Sequence, residues 1–361
     1  MRTFTVVLLL SCSLSFAQGT KTVYRDARTL TVEGQGWTET ASPYDRLPAK
    51  AEKTVRPAVW NLSKHSAGIA VRFVTDSPVI SAKWNLTSAT LAMPHMPATG
   101  VSGLDLYARD ENGKWRWVAN GRPSGKENEK RLVSGLTAES REFMLYLPLY
   151  NGVTSVEIGV PENRTLEPGR QRAAERRKPI VFYGTSITQG GCCSRPGMVH
   201  TAILGRQLDR PVINLGFSGN GRMEKEVAEL IAEIDAAVYV IDCLPNIQAK
   251  DVTARTETVV QKIRKAHQGT PIVLVEDRNY TDSYFLRSKR QRNAASQAAL
   301  RAEYEKLTAS GVRNLLYITG PNLLGEDGEG TVDSSHPTDL GFLRQAVAFR
   351  KVLGPILTNA K

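Results

Sequence analysis

The stretch "VFYGTSITQGG", residues 181–191, sets an apolar run against a turn of small residues. Val181-Phe182-Tyr183 reads as a buried strand, and Gly184 ends it. Ser186 follows, then Thr188, Gln189 and two glycines. A small hydroxyl at the tip of a buried strand is either part of a tight loop or a nucleophile. The surrounding chain shows what kind of sheet the strand enters. Four more short apolar runs come after it: "PVINLGFSG", "AAVYVIDCL", "PIVLVED" and "NLLYITG". Helix-period segments lie between them, at about 198–209, 222–234, 251–267 and 288–309, and a last one at 338–353. Strands alternating with helices build a parallel sheet covered on both faces. Ligands bind such sheets at the carboxyl ends of the strands.

Upstream the period changes. "GIAVRFVT" and "PVISAKWNL" alternate around Asp76-Ser77-Pro78, and "LDLYARDENGKWRWV" reads as a hairpin turning at Asn112-Gly113. "EFMLYLPLY" and "VTSVEIGV" add two strands, separated by Asn151-Gly152. Short strands with such turns predict a sandwich or jelly roll. The expected organisation is a signal peptide at 1–17, a β-sandwich domain at 18–162, a basic linker at 163–178 and an α/β domain at 179–361.

The leader follows from Arg2, the apolar run Val6 to Leu10, and the small-x-small site Ser15-Phe16-Ala17. The run is too short to span a bilayer, which takes about 20 apolar residues. Export to the periplasm or medium is expected, with a lipoprotein signal at Cys12 as the second reading. Beyond Ala17 three cysteines remain, Cys192, Cys193 and Cys243. Three is odd, so one thiol stays unpaired in a monomer, and the pairing is left open. The formal charge is +11, with basic residues gathered in "NRTLEPGRQRAAERRKP". No aromatic is interleaved there, so a solvated linker is expected and not a nucleic-acid surface.

The strand ends carry Gly184-Thr185-Ser186, Gly216 to Gly221, Leu244-Pro245-Asn246 and Glu276 to Asn279. A serine alcohol needs a base, and the base needs an orienting partner. Of five histidines, only His336 follows the last strand with a carboxylate close by, Asp333, three residues earlier. That spacing lets Asp333 hold one ring nitrogen while the other faces Ser186. Asp333, the serines and Pro337 also suit a helix start. A metal is not expected, because zinc takes three or four ligands and no other His or Cys has the spacing. "GFSGNG" lacks the dinucleotide-binding spacing, and Thr188 stands where the nucleophile elbow of α/β-hydrolases has glycine. Gly219 is either a tight-turn residue or an unobstructed backbone donor. Asn246 either closes a turn or offers its amide.

Taken together, these residues resemble the SGNH, or GDSL-like, hydrolases. "GLDLY", Gly103 to Tyr107, resembles the GxDLY-type β domain that precedes such hydrolases in some bacterial esterases. The resemblance implies a flavodoxin-like three-layer α/β catalytic domain after the sandwich, and a serine esterase without cofactor. It implies Ser186 as nucleophile, Asp333 and His336 as acid and base, and an oxyanion hole of the Ser186 and Gly219 N–H groups with the Asn246 amide. Gly184-Thr185-Ser186 departs from Gly-Asp-Ser, and Leu244-Pro245-Asn246-Ile247 from Gly-x-Asn-Asp. Small acyl esters, acetyl first, on carbohydrates are the expected substrates, with Arg195 in "GGCCSRPG" as a weak substrate contact. The alternatives are a lipid acylhydrolase, for which no long apolar lid is seen, and a non-catalytic carbohydrate-binding protein.

Overall fold

The computed structural model describes residues 20–358. The expected signal peptide, with Cys12 and the cleavage site, lies outside the described residues. Five short apolar runs form a parallel sheet: β1 (Ile180–Gly184), β2 (Val212–Gly216), β3 (Val238–Asp242), β4 (Ile272–Val275) and β5 (Leu315–Ile318). Their spatial order is 2-1-3-4-5, the flavodoxin-like order. The crossovers are α1 (Ser186–Gln189) with α2 (His200–Leu208), α3 (Lys225–Ile231), α4 (Ala249–Ala266) and α5 (Arg287–Ala309). A final helix, α6 (Asp339–Thr358), closes the layer. Because side chains alternate along a strand, both faces must be covered. Val181, Tyr183, Ile213 and Ile241 pack on one side with Val227, Val259 and Leu300. Ile180, Phe182, Val240 and Val273 pack on the other with Ile203, Leu204 and Phe349.

The upstream strands form two antiparallel sheets. Thr22–Asp26, Val153–Pro161, Val79–Leu86 and Glu127–Ser134 make one. Ala70–Thr75, Arg141–Tyr146, Leu104–Arg109 and Trp115–Gly121 make most of the other. The turns at Asp76-Ser77-Pro78 and Asn151-Gly152 pass the chain from one sheet to the other, while "LDLYARDENGKWRWV" pairs with itself as a hairpin. Val71, Phe73, Leu104, Leu106, Phe143 and Leu145 face the sandwich interior with Ile80, Ala82, Trp84, Val156 and Ile158. The opposite face of the second sheet is buried too. Ala70, Tyr107, Met144 and Tyr146 pack on Ile187, Val199, Ala202 and Phe342 of the α/β half.

Packing does not respect the order of the chain. The 3-10 turn Ala49–Lys53 and the helix Pro57–Ser63 belong by sequence to the β half. Their Ala51, Val59 and Trp60 lie in the cluster that covers the parallel sheet. Buried Arg46 docks the same segment, donating to the backbone oxygens of Gly216 at 2.6 Å and Asn214 at 3.1 Å. The basic stretch 163–178 is mostly exposed, but it is tied to both halves. Glu167–Pro168 pairs with Phe73 and Val74, and buried Arg172 bridges Glu33 of the sandwich and Asp209 at the end of α2. Arg164, Arg172, Arg176 and Lys178 each pair with a carboxylate from one of the two halves, which composition alone does not show.

His200 is enclosed by aromatics. Its ring stacks on Phe342 with centroids 5.8 Å apart and meets Phe182 edge-on at 5.7 Å. Neither ring nitrogen has a hydrogen-bond partner among the described residues. Burial, then the Arg278 charge, pulls its pKa well below the ordinary value of 6.5. The folded protein therefore keeps His200 neutral, while the unfolded chain takes up a proton below about pH 6.5. Stability at this site is full above that pH and falls as acid is added. His200→Phe is expected to stabilise the protein by about 1–3 kcal/mol at pH 7, because two buried unpaired groups disappear. The gain should widen at pH 5. Thermal unfolding of both proteins at pH 7 and pH 5 checks the sign and the trend.

Candidate active site

Four strand ends and one late loop converge. β1 ends at Gly184, and Thr185 accepts a hydrogen bond from the Ile187 N–H at 3.3 Å, which starts α1 with Ser186 as its first residue. Gly221 of the second loop packs directly on this bend. A Cβ there would lie 1.8 Å from the Gly184 carbonyl oxygen, so only glycine fits. Gly219 has φ +68°, a conformation that favours glycine, and its Cα faces open space. The first N–H groups of a helix have no internal acceptor, so the Ser186 N–H is available. The Gly219 N–H donates to no group among the described residues.

The structure brings Ser186, His336 and Asp333 together. Ser186 Oγ lies 2.8 Å from His336 Nε2, and His336 Nδ1 lies 2.7 Å from Asp333 Oδ2. Asp333 Oδ1 accepts the backbone N–H groups of His336 at 2.8 Å and Ser335 at 3.1 Å. Partial burial raises the Asp333 pKa, but the hydrogen bonds and charge of His336 outweigh it and hold the carboxylate below its usual range. The loop is not a helix cap. Helix α6 starts later, at Asp339, and Thr338 Oγ1 caps it by accepting from Gly341 N–H.

Asn246 sits in the turn after β3. Its Oδ1 accepts from Gly221 N–H at 3.3 Å, which ties it to the loop that carries Gly219. Its Nδ2 donates to no group among the described residues. Arg292 on α5 grips the same turn, donating to the carbonyls of Leu244, Pro245 and Ile247 at 3.0–3.3 Å, and is itself paired with buried Asp277. Nothing in the local sequence marks this clamp, because its two ends come from different strand–helix crossovers.

The β half also reaches the site, which the sequence reading missed. The Tyr150 hydroxyl donates to the Ser186 carbonyl at 3.2 Å. Burial pushes that phenol up, so it remains a donor. The His95 ring lies 6.2 Å from the His336 ring. Gln189 Nε2 donates to the Leu149 carbonyl at 3.0 Å and lies 3.0 Å from His65 Nδ1. Burial, then the Arg46 charge, draws the His65 pKa down to about 4, so at neutral pH its nitrogen can accept that bond. Gln189 Oε1 accepts from Ser218 N–H at 3.0 Å, which ties the serine turn to the second loop.

Arg195, expected as a weak substrate contact, is held by groups of the protein itself. Its Nη1 donates to Asp105 Oδ2 at 2.8 Å and to the Tyr107 hydroxyl, and its guanidinium sits 5.2 Å from the Trp117 ring. Asp105 is fully buried and also accepts from Gly197 N–H and Trp117 Nε1, each at 2.8 Å. Burial pushes its carboxyl up, against the pull of Arg195. Alternation explains the "GLDLY" stretch: Leu104 and Leu106 fill the sandwich, while Asp105 and Tyr107 on the other face hold the loop after the serine. Cys192, Cys193 and Cys243 are all buried free thiols, so no disulfide locks that loop. Burial, then the Asp333 charge, pushes Cys192 up to about 12. Among the described residues no group of three or more His, Cys, Asp or Glu is placed to hold a metal ion. No helix among them is long and apolar enough to cross a membrane.

Residues 177–354 match the GDSL-like lipase/acylhydrolase family, and residues 22–166 match the GxDLY N-terminus of SGNH-type esterases. A Bacteroides ovatus protein classed as a GDSL-like lipase is 38% identical over 94% of this chain and 98% of its own, with a TM-score of 0.88. A salicylyl-acyltransferase from a tetracycline biosynthetic pathway is 20% identical over 94% and 98%, with a TM-score of 0.74. An acetyl xylan esterase from Butyrivibrio proteoclasticus is 11% identical over 92% and 99%, with a TM-score of 0.55. The last two share the fold. No curated protein matches the chain.

Proposed function

The chain belongs to the GDSL-like lipase/acylhydrolase family as a carboxylic ester hydrolase, and from that premise we propose that it is an exported serine esterase removing small acyl groups from carbohydrates. One observation carries the reading: Ser186 Oγ, His336 and Asp333 stand in a continuous line of contacts at 2.8 and 2.7 Å.

In the proposed reaction His336 Nε2 takes the Ser186 proton as Oγ attacks the ester carbonyl. Asp333 keeps the proton on Nδ1 and stabilises the imidazolium. The N–H groups of Ser186 and Gly219 and the Asn246 amide receive the oxyanion. His336 then protonates the leaving alcohol. Water, activated by the same nitrogen, hydrolyses the acyl-enzyme. Tyr150 and His95 of the β half lie beside Ser186 and His336, which supports a short acyl group such as acetyl. The shared fold with an acetyl xylan esterase makes acetylated sugars the first substrates to test. Export rests on the apolar leader and the Ser15-Phe16-Ala17 site.

The test uses purified protein with 4-nitrophenyl esters of increasing acyl length, and measures acetate released from acetylated saccharides. The expected kcat/KM is highest for acetate. A rise toward octanoate would favour the lipid reading, and no turnover by folded protein would favour a binding module. For the oxyanion hole, Asn246→Ala is expected to lower kcat by about 10²–10³-fold with KM little changed, because the donor acts on charge that appears only in the transition state. Steady-state kinetics on 4-nitrophenyl acetate checks this. A change in KM alone would reduce Asn246 to a turn residue.

A further inference from the structure

Basic side chains gather at one concave place. A cavity of about 620 Å³ lies between the Leu104–Arg109/Trp115–Gly121 hairpin, α2 and α6. Seven of its lining residues are Arg or Lys and one, Asp209, is acidic. Asp209 is already paired with Arg109, Arg172 and Arg176. Arg116 has Asp110, and Arg195 has Asp105. Lys114, Arg206 and Arg350 have no acid within ion-pair distance among the described residues. In addition, Arg206 Nη1 and Trp115 Nε1 are buried without a hydrogen-bond partner.

The rest of the wall is flat or apolar. Arg206 lies over the Tyr107 ring at 3.9 Å and Arg109 over Trp115 at 4.4 Å, and half-exposed Leu343 adds an apolar edge. We propose that this cavity is a second binding site, for a carboxylate-bearing saccharide. Guanidinium forks suit a carboxylate, and rings with CH faces suit aromatic and aliphatic walls. The cations come from the hairpin, Arg176, the Arg195 loop, α2 and α6 and converge on one hollow. They do not track along a surface as a groove for a nucleic-acid backbone would. Arg195 in its wall is four residues from Gly191, whose Cα packs beside the His336 ring, so at most about 14 Å of chain separates the two places. An acidic sugar held here would present a neighbouring acylated sugar of the same glycan to Ser186. That placement rests on the proposed esterase activity, but the binding does not.

The test is isothermal titration of the intact protein with oligogalacturonate, neutral xylo-oligosaccharide and duplex DNA at low salt. The expected result is binding of oligogalacturonate in preference to the other two, weakened by added salt. Arg206→Gln and Arg350→Gln should each weaken it about tenfold. Arg350 is exposed, so its replacement leaves the fold intact. Hydrolysis of 4-nitrophenyl acetate should stay unchanged in both variants. Equal binding of the neutral oligosaccharide, equal or tighter binding of DNA, or undiminished binding by both variants would overturn the site. Failed titration with intact hydrolysis overturns the site alone. Absent hydrolysis with intact titration overturns the esterase reading alone.

Discussion

Ser186→Ala is expected to lower kcat on 4-nitrophenyl acetate by about 10⁴-fold or more while the melting temperature stays put. In the proposed reaction this hydroxyl forms the acyl bond, and removing a triad nucleophile leaves only binding and oxyanion stabilisation. Ser186 is 6% exposed and its Oγ is bonded only to His336, so methyl for hydroxyl opens no cavity and orphans no buried donor. His336→Ala should cost about as much. The double variant should be no worse than either, because the two residues act in one step. Asp333→Asn should retain more activity than either, since the imidazole base itself remains. A fluorophosphonate should label the wild type on Ser186 and leave Ser186→Ala unlabelled. Activity in the variant above about one-hundredth of wild type, or labelling at another serine, would remove Ser186 from its role.

How far the sequence reached is clearest from particular residues. The parallel sheet was legible because its strands are continuous apolar runs and its helices keep their period. Helix α4 was expected at about 251–267 and is found at Ala249–Ala266. The Asp333–His336 contact was legible because its partners are three residues apart. The serine that faces them is 150 residues away, and only the rule that chemistry gathers at strand ends joined it to them. What stayed hidden involves pairs with no local signature. Tyr150 and His95 reach the site because the second face of a β-sheet packs on the α/β half, and no periodicity shows which face a sheet turns to another domain. Arg195 was read as free because its partner, Asp105, lies 90 residues upstream in a strand that otherwise reads as core. The same blindness hid Arg172, which is buried between two carboxylates inside the otherwise mostly exposed stretch 163–178.

Arg278→Met is expected to destabilise the protein by about 3–5 kcal/mol, the cost of leaving a buried carboxylate without its partner. Asp242 ends β3 directly beside Gly184 of β1, and both Asp242 and Arg278 are almost wholly buried. Arg278 follows β4 and holds Asp242 with two parallel hydrogen bonds, one of them 2.7 Å long. Its remaining donors go to Gln345 Oε1 on α6, the Nε bond at 2.8 Å. Thr188 Oγ1, two residues past Ser186, donates to Asp242 at 3.4 Å. The cluster therefore ties two strand ends, the last helix and the serine turn together beneath the site. Burying such a pair is expensive, so its presence is weak evidence of net stabilisation. The two possibilities separate in a cycle. Asp242→Leu with Arg278→Met removes both charges, and this double variant should be more stable than Arg278→Met alone. It should still place Ser186 less well than wild type, since Thr188 and Gln345 lose the groups that fix them. Urea unfolding at pH 7 gives the stabilities, and kcat on 4-nitrophenyl acetate gives the placement. If the double variant matches wild type in both, the pair is dispensable to the site. If it recovers stability but turns over more slowly, the buried charges serve to hold the nucleophile turn in register with the strand ends that carry Gly219 and Asn246.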